Sequence, residues 1–492
     1  MGSGGGVATR LRGAAQPASA TMIAMAATLR RLTLAPPLLI DRTPLAPMLV
    51  VGPGPMSNNS FRAGMTSDGR RPRRCHVKAH LCLLVVAGAL SAALAGCARG
   101  PLPLVFPEVE IGDPSFAPTF EAYTAAPIRW GNRVDLLLNG EQIFPAQLEA
   151  IRSAQSTFTY AQYFYETGPP ARALVKAMSE RCRAGVRGHV LVDGIGSLGM
   201  PAELRDSLTE AGCEVASFHP VEVPTIGEIN NRNHRRILVV DGRIGFTGSS
   251  GASSKWMGNG RREGYWRQTD VRIEGHAVTD LQAAFVENWL ETTGKALGGP
   301  AYFPRQERRG EVRAQVLRSS PGRGSLTMYT MYLFSISSAR RSIYLTNPYF
   351  VPDETIRDAL LSARARGVRV VLLLPGAIDH ELVVAASSAG FGRLLDAGVE
   401  IFEYQAGLLH AKTMTIDGAW AMVGSANMDN RSLALNDEIS LIAYDREIAE
   451  RLEKVFEDDL THARPTDPQS WRARSLWRRF LEFLTVPVRS QL

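Results

Sequence analysis

The sequence predicts an α/β fold: two similar α/β sandwich halves related by internal duplication, with the active site between them. Three observations predict it. Apolar strand-like runs alternate with helix-like segments through the body of the chain. The same order of elements then recurs with closely similar spacing in the second half. Finally, both halves end in one motif with His, a cation, Asp, Gly and Ser at matching offsets.

In the first half, residues 158–165 alternate as a strand and residues 171–183 read as a helix. Gly185-Val186-Arg187 leads into an apolar strand at 189–192; a helix near 201–210 ends at Ala211-Gly212, and 215–218 is again a strand. The second half repeats this with a strand at 343–349 and a helix at 352–366 that opens on Pro352. Gly367-Val368-Arg369 enters the strand 370–374, a helix across 382–396 ends at Ala397-Gly398, and 399–404 closes the unit. The strands are apolar enough to be covered on both faces, which implies mostly parallel pairing. The repeats are placed at 131–300 and 310–462, joined across 298–313, a stretch rich in Gly, Pro and charge.

The first motif is Asn233-His234-Arg235-Arg236, then Asp241-Gly242 and Gly248-Ser249; the second is Leu409-His410-Ala411-Lys412, then Asp417-Gly418 and Gly424-Ser425-Ala426-Asn427. His and the cation two residues on share one face of a strand. Asp-Gly between apolar strands is a hairpin signal, so Asp241 and Asp417 are read as turn residues and not as catalysts. A two-residue turn at each would set His234 opposite Ser249 and His410 opposite Ser425. Imidazole, cation and hydroxyl would then meet twice on one patch. A phosphodiester anion needs that set: cations and hydroxyls to hold developing charge, one imidazole to attack phosphorus, another to protonate the departing alcohol.

With these motifs the chain resembles the phospholipase D superfamily and its duplicated His-x-Lys-x4-Asp motif, and within it bacterial cardiolipin synthases. Asn347-Pro-Tyr-Phe-Val-Pro-Asp-Glu354, residues 394–404, residues 424–432 and Asn436-Asp-Glu438 carry the likeness, which spans roughly 131–492. The resemblance implies His234 as nucleophile through a phosphohistidine and His410 as general acid. It implies Arg236, Lys412, Ser249, Ser425 and Asn427 as phosphate binders. It also implies acids that orient the imidazoles crosswise, Glu438 with His234 and Asp270 with His410. Two departures stand out: Arg236 where the family has Lys, and Gly251 where the second motif has Asn427. Arg keeps the charge but not the ammonium geometry.

Charge locates the partners. The net charge of +7 belongs to residues 1–97, which hold eleven Arg/Lys and two Asp; the remaining 44 basic and 46 acidic side chains leave the body near neutrality. A nucleic-acid partner is therefore disfavoured. Arg70 to Lys78 form a basic region, 81–95 an apolar run too short to span a bilayer, and Leu94-Ala95-Gly96-Cys97 resembles a lipobox. A signal peptide over 65–97, lipidated at Cys97, would hold the body at a membrane surface in the bacterial envelope. An uncleaved membrane anchor is the alternative. Residues 1–64 are expected to be disordered or to reflect a mistaken start, 98–130 to be an extended tether, and 463–492 to be an amphipathic segment. Cys182 and Cys213 are expected to be plain buried thiols. Neither motif clusters ligands at metal spacing, so no metal or cofactor is expected, and no obligatory protein partner is evident. The functional expectation is transfer of a phosphatidyl group between two phosphatidylglycerol molecules with release of glycerol. Phospholipid hydrolysis is the alternative, ahead of a nuclease or a non-enzymatic envelope protein.

Overall fold

The computed structural model describes residues 106–220, 230–321, 324–376, 387–388 and 390–475. The proposed leader with Cys97, the segment before it and the end of the amphipathic segment lie outside these residues. So does part of the helix expected at 382–396, of which Phe391–Asp396 is described as helical.

The first half contributes strands β1 (Ile128–Leu138), β2 (Thr157–Gln162), β3 (Arg187–Asp193), β4 (Glu214–Phe218), β5 (Ile237–Val240), β6 (Ile244–Gly248), β7 (Trp266–Arg267) and β8 (Thr269–Glu274). The second contributes β9 (Val312–Ser319), β10 (Ser342–Thr346), β11 (Phe350–Val351), β12 (Arg369–Pro375), β13 (Glu400–Tyr404), β14 (Leu408–Leu409), β15 (Thr413–Ile416), β16 (Trp420–Gly424), β17 (Met428–Asp429), β18 (Glu438–Tyr444) and β19 (Ala463–Pro465). Fifteen of them form one sheet, in the order β19-β13-β12-β10-β15-β16-β18-β9-β1-β8-β6-β5-β2-β3-β4. The halves meet where β1 runs antiparallel to β9, Ile128 opposite Gln315.

Alternation along the strands builds two apolar faces. Leu238 and Val240 join Phe158, Tyr160 and Val190 under the helices Asn139–Ser153 and Pro169–Arg183. Ile237 and Val239 point the other way, into a layer shared by both halves beneath Val278–Thr293 and Arg446–Leu460. That shared layer, with Val271, Phe285, Val423 and Leu441 in it, makes the halves one packed body.

Three expectations are corrected. Pairing is mixed, not mostly parallel: β2, β3, β4 and β10, β12, β13 run parallel, while the hairpins and the seam are antiparallel, because short turns can only reverse a strand. The tether reading fails for 106–130, where Phe116–Thr124 is a helix with Phe116 and Phe120 buried against Phe334. Aromatic residues at helical spacing outweighed the prolines. Cys182 and Cys213 are disulfide-bonded rather than free, since one ends the helix Pro169–Arg183 and the other precedes β4 with Cα atoms 5.5 Å apart.

The Asp-Gly turns show a fourth difference. Asp241 and Gly242 have φ of 52° and 63°, and Asp417 and Gly418 have 54° and 60°, as a type I′ turn requires. Yet β5 pairs Val240 with Ile244, and β15 pairs Ile416 with Trp420. One extra residue, Arg243 or Ala419, shifts each ladder, so Ser249 and Ser425 do not lie opposite the histidines of their own hairpins. The turn aspartates act as anchors: Asp241 accepts the amides of Gln155, Ser156 and Thr157, and Asp417 those of Arg340, Arg341 and Ser342, all at 2.7–2.9 Å.

Asp417→Ala should destabilise the protein by about 2–3 kcal/mol, since charged hydrogen bonds to three amides are lost, read as a lower denaturant midpoint. An unchanged midpoint would remove the anchoring role. Cys213→Ala should cost about 3 kcal/mol by opening a closed loop of roughly thirty residues, and intact protein should show no titratable thiol at Cys182 after denaturation.

Candidate active site

Each motif histidine hydrogen-bonds to the backbone of the opposite half. His234 donates its amide to the Asp437 carbonyl at 2.9 Å, beside the bridge of Asn233 with Asp437; His410 donates its amide to the Arg267 carbonyl at 2.7 Å, where β14 pairs with β7. The histidine of each half therefore sits on the strand that follows the motif of the other, and the site lies on the seam.

The side chains repeat this crossing. Arg236 and Lys412 each fold back on the histidine two residues before. Arg236 donates through Nη2 to His234 Nε2 at 3.1 Å and through Nη1 to the His234 carbonyl at 3.1 Å. Lys412 Nζ lies 3.2 Å from His410 Nε2 and donates to the His410 carbonyl at 3.1 Å. With Nε2 accepting, Nδ1 carries the hydrogen of each neutral ring. His234 Nδ1 donates to Glu438, with oxygens at 2.8 and 2.9 Å, whereas His410 Nδ1 donates to the Ser249 carbonyl at 3.1 Å. The expected Glu438–His234 pair is present, but the Asp270–His410 pair is not. Asp270 instead accepts the amides of Ser249 and Ser250 at 2.8 and 3.1 Å and the Ser250 hydroxyl at 2.5 Å. It reaches His410 only through the Ser249 peptide.

The proposed phosphate binders divide. Ser425 donates its hydroxyl to Glu438 and accepts the Ile439 amide at 3.0 Å. Ser249 turns its hydroxyl to the Thr269 carbonyl at 3.4 Å. Asn427 is buried with its Oδ1 unpartnered, leaving an acceptor open in the site. Gly251, at the matching position, has no room for a side chain: a Cβ there would lie 2.8 Å from the Trp256 ring. The indole accounts for the missing asparagine.

Aromatic walls went unnoticed in the sequence. The Tyr163 ring stands 4.7 Å from that of His234 with the Arg236 guanidinium 5.8 Å over its face; Trp266 and Trp256 lie 5.0 and 5.8 Å from His410. Tyr163 lies within the alternating run 158–165 and Trp266 in a loop-like stretch, so only the fold brings them here. They exclude water and sharpen every charge inside.

Burial governs the electrostatics. It holds His234 well below the ordinary imidazole range, helped by the charges of Arg236 and Lys412; it does the same to His410, helped by Lys412, Arg236 and His234. Lys412 is also pushed well down by burial and then by Arg236. Burial raises Glu438 to about 7 and also raises Asp270. Burial therefore disfavours an imidazolium–carboxylate ion pair, and His234 stands as a neutral ring whose Nδ1–H is donated to Glu438. Both Nε2 lone pairs are available near neutral pH, beside cations that can receive an anion.

The comparisons agree with this geometry. A family model described as cardiolipin synthase, PLD-like domain matches residues 148–284 and 332–460, one copy in each half. A cardiolipin synthase of Staphylococcus aureus (strain Mu50) is 34% identical over 361 residues, 73% of each chain. One from Geobacillus kaustophilus is 34% identical over 359 residues, 72% of each chain. The crystal structure of a phosphatidylserine synthase from Haemophilus influenzae superposes with a TM-score of 0.61 at 13% identity, over 77% of this chain and all of that one, which speaks for the fold. With both motif copies present and the two half-sites meeting on one seam, the chain belongs to the phospholipase D-like cardiolipin synthase family.

Proposed function

We propose that this enzyme is a phosphatidyl transferase that joins two phosphatidylglycerol molecules into cardiolipin and releases glycerol. The observation that carries the reading is the crossed pair of buried imidazoles, each with Nε2 held by its own motif cation. His234 Nε2 attacks phosphorus and the P–O bond to glycerol breaks, leaving a phosphatidyl-histidine. His410 gives its proton to the departing glycerol oxygen. It then takes the proton of the incoming hydroxyl of a second phosphatidylglycerol, which attacks phosphorus and frees His234. Arg236, Lys412 and the side-chain N–H of Asn427 donate to the phosphate, and its negative charge raises the His410 pKa on arrival, so the acid is loaded when substrate binds. Water at the second step would give phosphatidic acid, and the aromatic walls favour a lipid alcohol instead.

We further propose that the body is held at a membrane surface outside the cytoplasm through lipidated Cys97. Support comes from the basic and apolar run before that residue and from the Cys182–Cys213 disulfide, which suits an oxidising compartment.

Incubation with phosphatidylglycerol vesicles should yield cardiolipin and glycerol in equal amounts; phosphatidic acid as the main product would overturn the transferase reading. His234→Ala and His410→Ala should each lower turnover by about a thousandfold. His234→Ala should also abolish any trapped phosphatidyl-protein adduct, and an adduct mapped to His410 would reverse the assignment. The acid limb of kcat/KM should fall below pH 6.5, because His234 is held below its ordinary value and stays unprotonated there; a limb at 7 or above would contradict this. Cys97→Ser should release the protein from membranes, and an unchanged membrane-bound fraction would rule out lipid attachment at that residue.

A further inference from the structure

The crossed backbone pairs make two positions equivalent. The His234 amide bonds the Asp437 carbonyl, and the next residue, Glu438, receives the His234 ring. The His410 amide bonds the Arg267 carbonyl, and the next residue is Gln268. Strand register gives the same equivalence independently. Gly248 pairs with Asp270 in β6 and β8 as Gly424 pairs with Ser440 in β16 and β18, so Gln268 and Glu438 each lie two residues before the matched position. Asp270 therefore corresponds to Ser440 and not to Glu438.

Gln268 is fully buried. Its Nε2 donates to the Trp256 carbonyl at 3.3 Å, beside the indole that stands 5.8 Å from the His410 ring, while its Oε1 is buried with no hydrogen-bond partner. A buried carbonyl oxygen without a partner is costly and calls for an explanation.

We propose that Gln268 is the positioning residue of His410, its open side-chain oxygen standing at the position that Glu438 holds for His234, so that one half-site backs its imidazole with a neutral amide and the other with a carboxylate. The proposal rests on the transferase reading for its consequence. A carboxylate behind His234 stabilises the positive charge that this ring gains when it bonds phosphorus. A neutral amide behind His410 gives no such stabilisation, so the protonated ring parts with its proton readily, as an acid to a poor leaving group must. The other groups that face His410 are Lys412, Arg236, His234 and the Tyr349 ring at 6.4 Å, with Asp270 behind the Ser249 peptide. Among the carboxylates, Glu438 is spent on His234 and Asp270 on the Ser249–Ser250 turn, which leaves position 268 to decide whether His410 has a negative neighbour.

The test uses the whole protein with Gln268→Glu and Gln268→Leu. Added negative charge should raise the His410 pKa, so Gln268→Glu should move the alkaline limb of kcat up by about one pH unit. The His410 ring, followed by NMR on histidine-labelled protein, should titrate higher by a similar amount, while His234 does not move. Gln268→Leu, which keeps the bulk and removes the acceptor, should lower kcat about tenfold with little change in KM for phosphatidylglycerol. An unmoved His410 titration in the Glu variant, or wild-type kcat in the Leu variant, would overturn the proposal. Wild-type protein that makes no lipid product from phosphatidylglycerol would instead overturn the transferase reading, and the NMR titration would still decide the role of Gln268.

Discussion

The constraint on which the site depends is the pair of crossed backbone hydrogen bonds, His234 to Asp437 and His410 to Arg267. Each fixes the motif histidine of one half against the strand that follows the motif of the other. Neither half could hold its own imidazole in this place, because the acid behind His234 and the carbonyl behind His410 come from the opposite half. The shared apolar layer beneath Val278–Thr293 and Arg446–Leu460 makes that arrangement rigid. Misplacement by an ångström would cost a large share of the rate, so joining two similar folds through one sheet is itself a catalytic device.

Gathering two imidazoles, a guanidinium and an ammonium in a buried site is expensive in free energy. Glu438 and Asp270 answer that charge without matching it, since each is raised by burial and each is tied by hydroxyl or amide hydrogen bonds. The unbalanced positive potential suits an arriving phosphodiester, whose charge completes the set.

The halves are similar in fold but not in chemistry. Arg236 fits its half because it can reach both the His234 ring and its carbonyl while lying over Tyr163. Gly251 follows from the Trp256 wall, so only the second motif offers a free asparagine oxygen. Together with Gln268 standing where the second half has Glu438, these differences make unlike the surroundings of two histidines that a strict duplication would leave interchangeable.

The duplicated order of elements, the two His-x-cation motifs and the structural role of Asp241 and Asp417 were legible in the sequence, because strand alternation, turn chemistry and fixed offsets are local. Glu438 was legible too, through the strings that resemble the family. The register of the hairpins was not: a single extra residue, Arg243 or Ala419, moves every pairing by one, and no local signal marks it. Helix packing at Phe116 and Phe120, the Cys182–Cys213 bond and the antiparallel seam depend on contacts between distant segments. So does the assignment of partners to His410. Asp270 carries the charge the resemblance asks for, but strand pairing matches it to Ser440 and makes Gln268, two residues earlier, the equivalent of Glu438, and side-chain type alone could not choose between them. The sequence determined which groups the chemistry would use; the tertiary structure decided which of them meet, because hydrogen-bonded strand register, not composition, sets every distance across the seam.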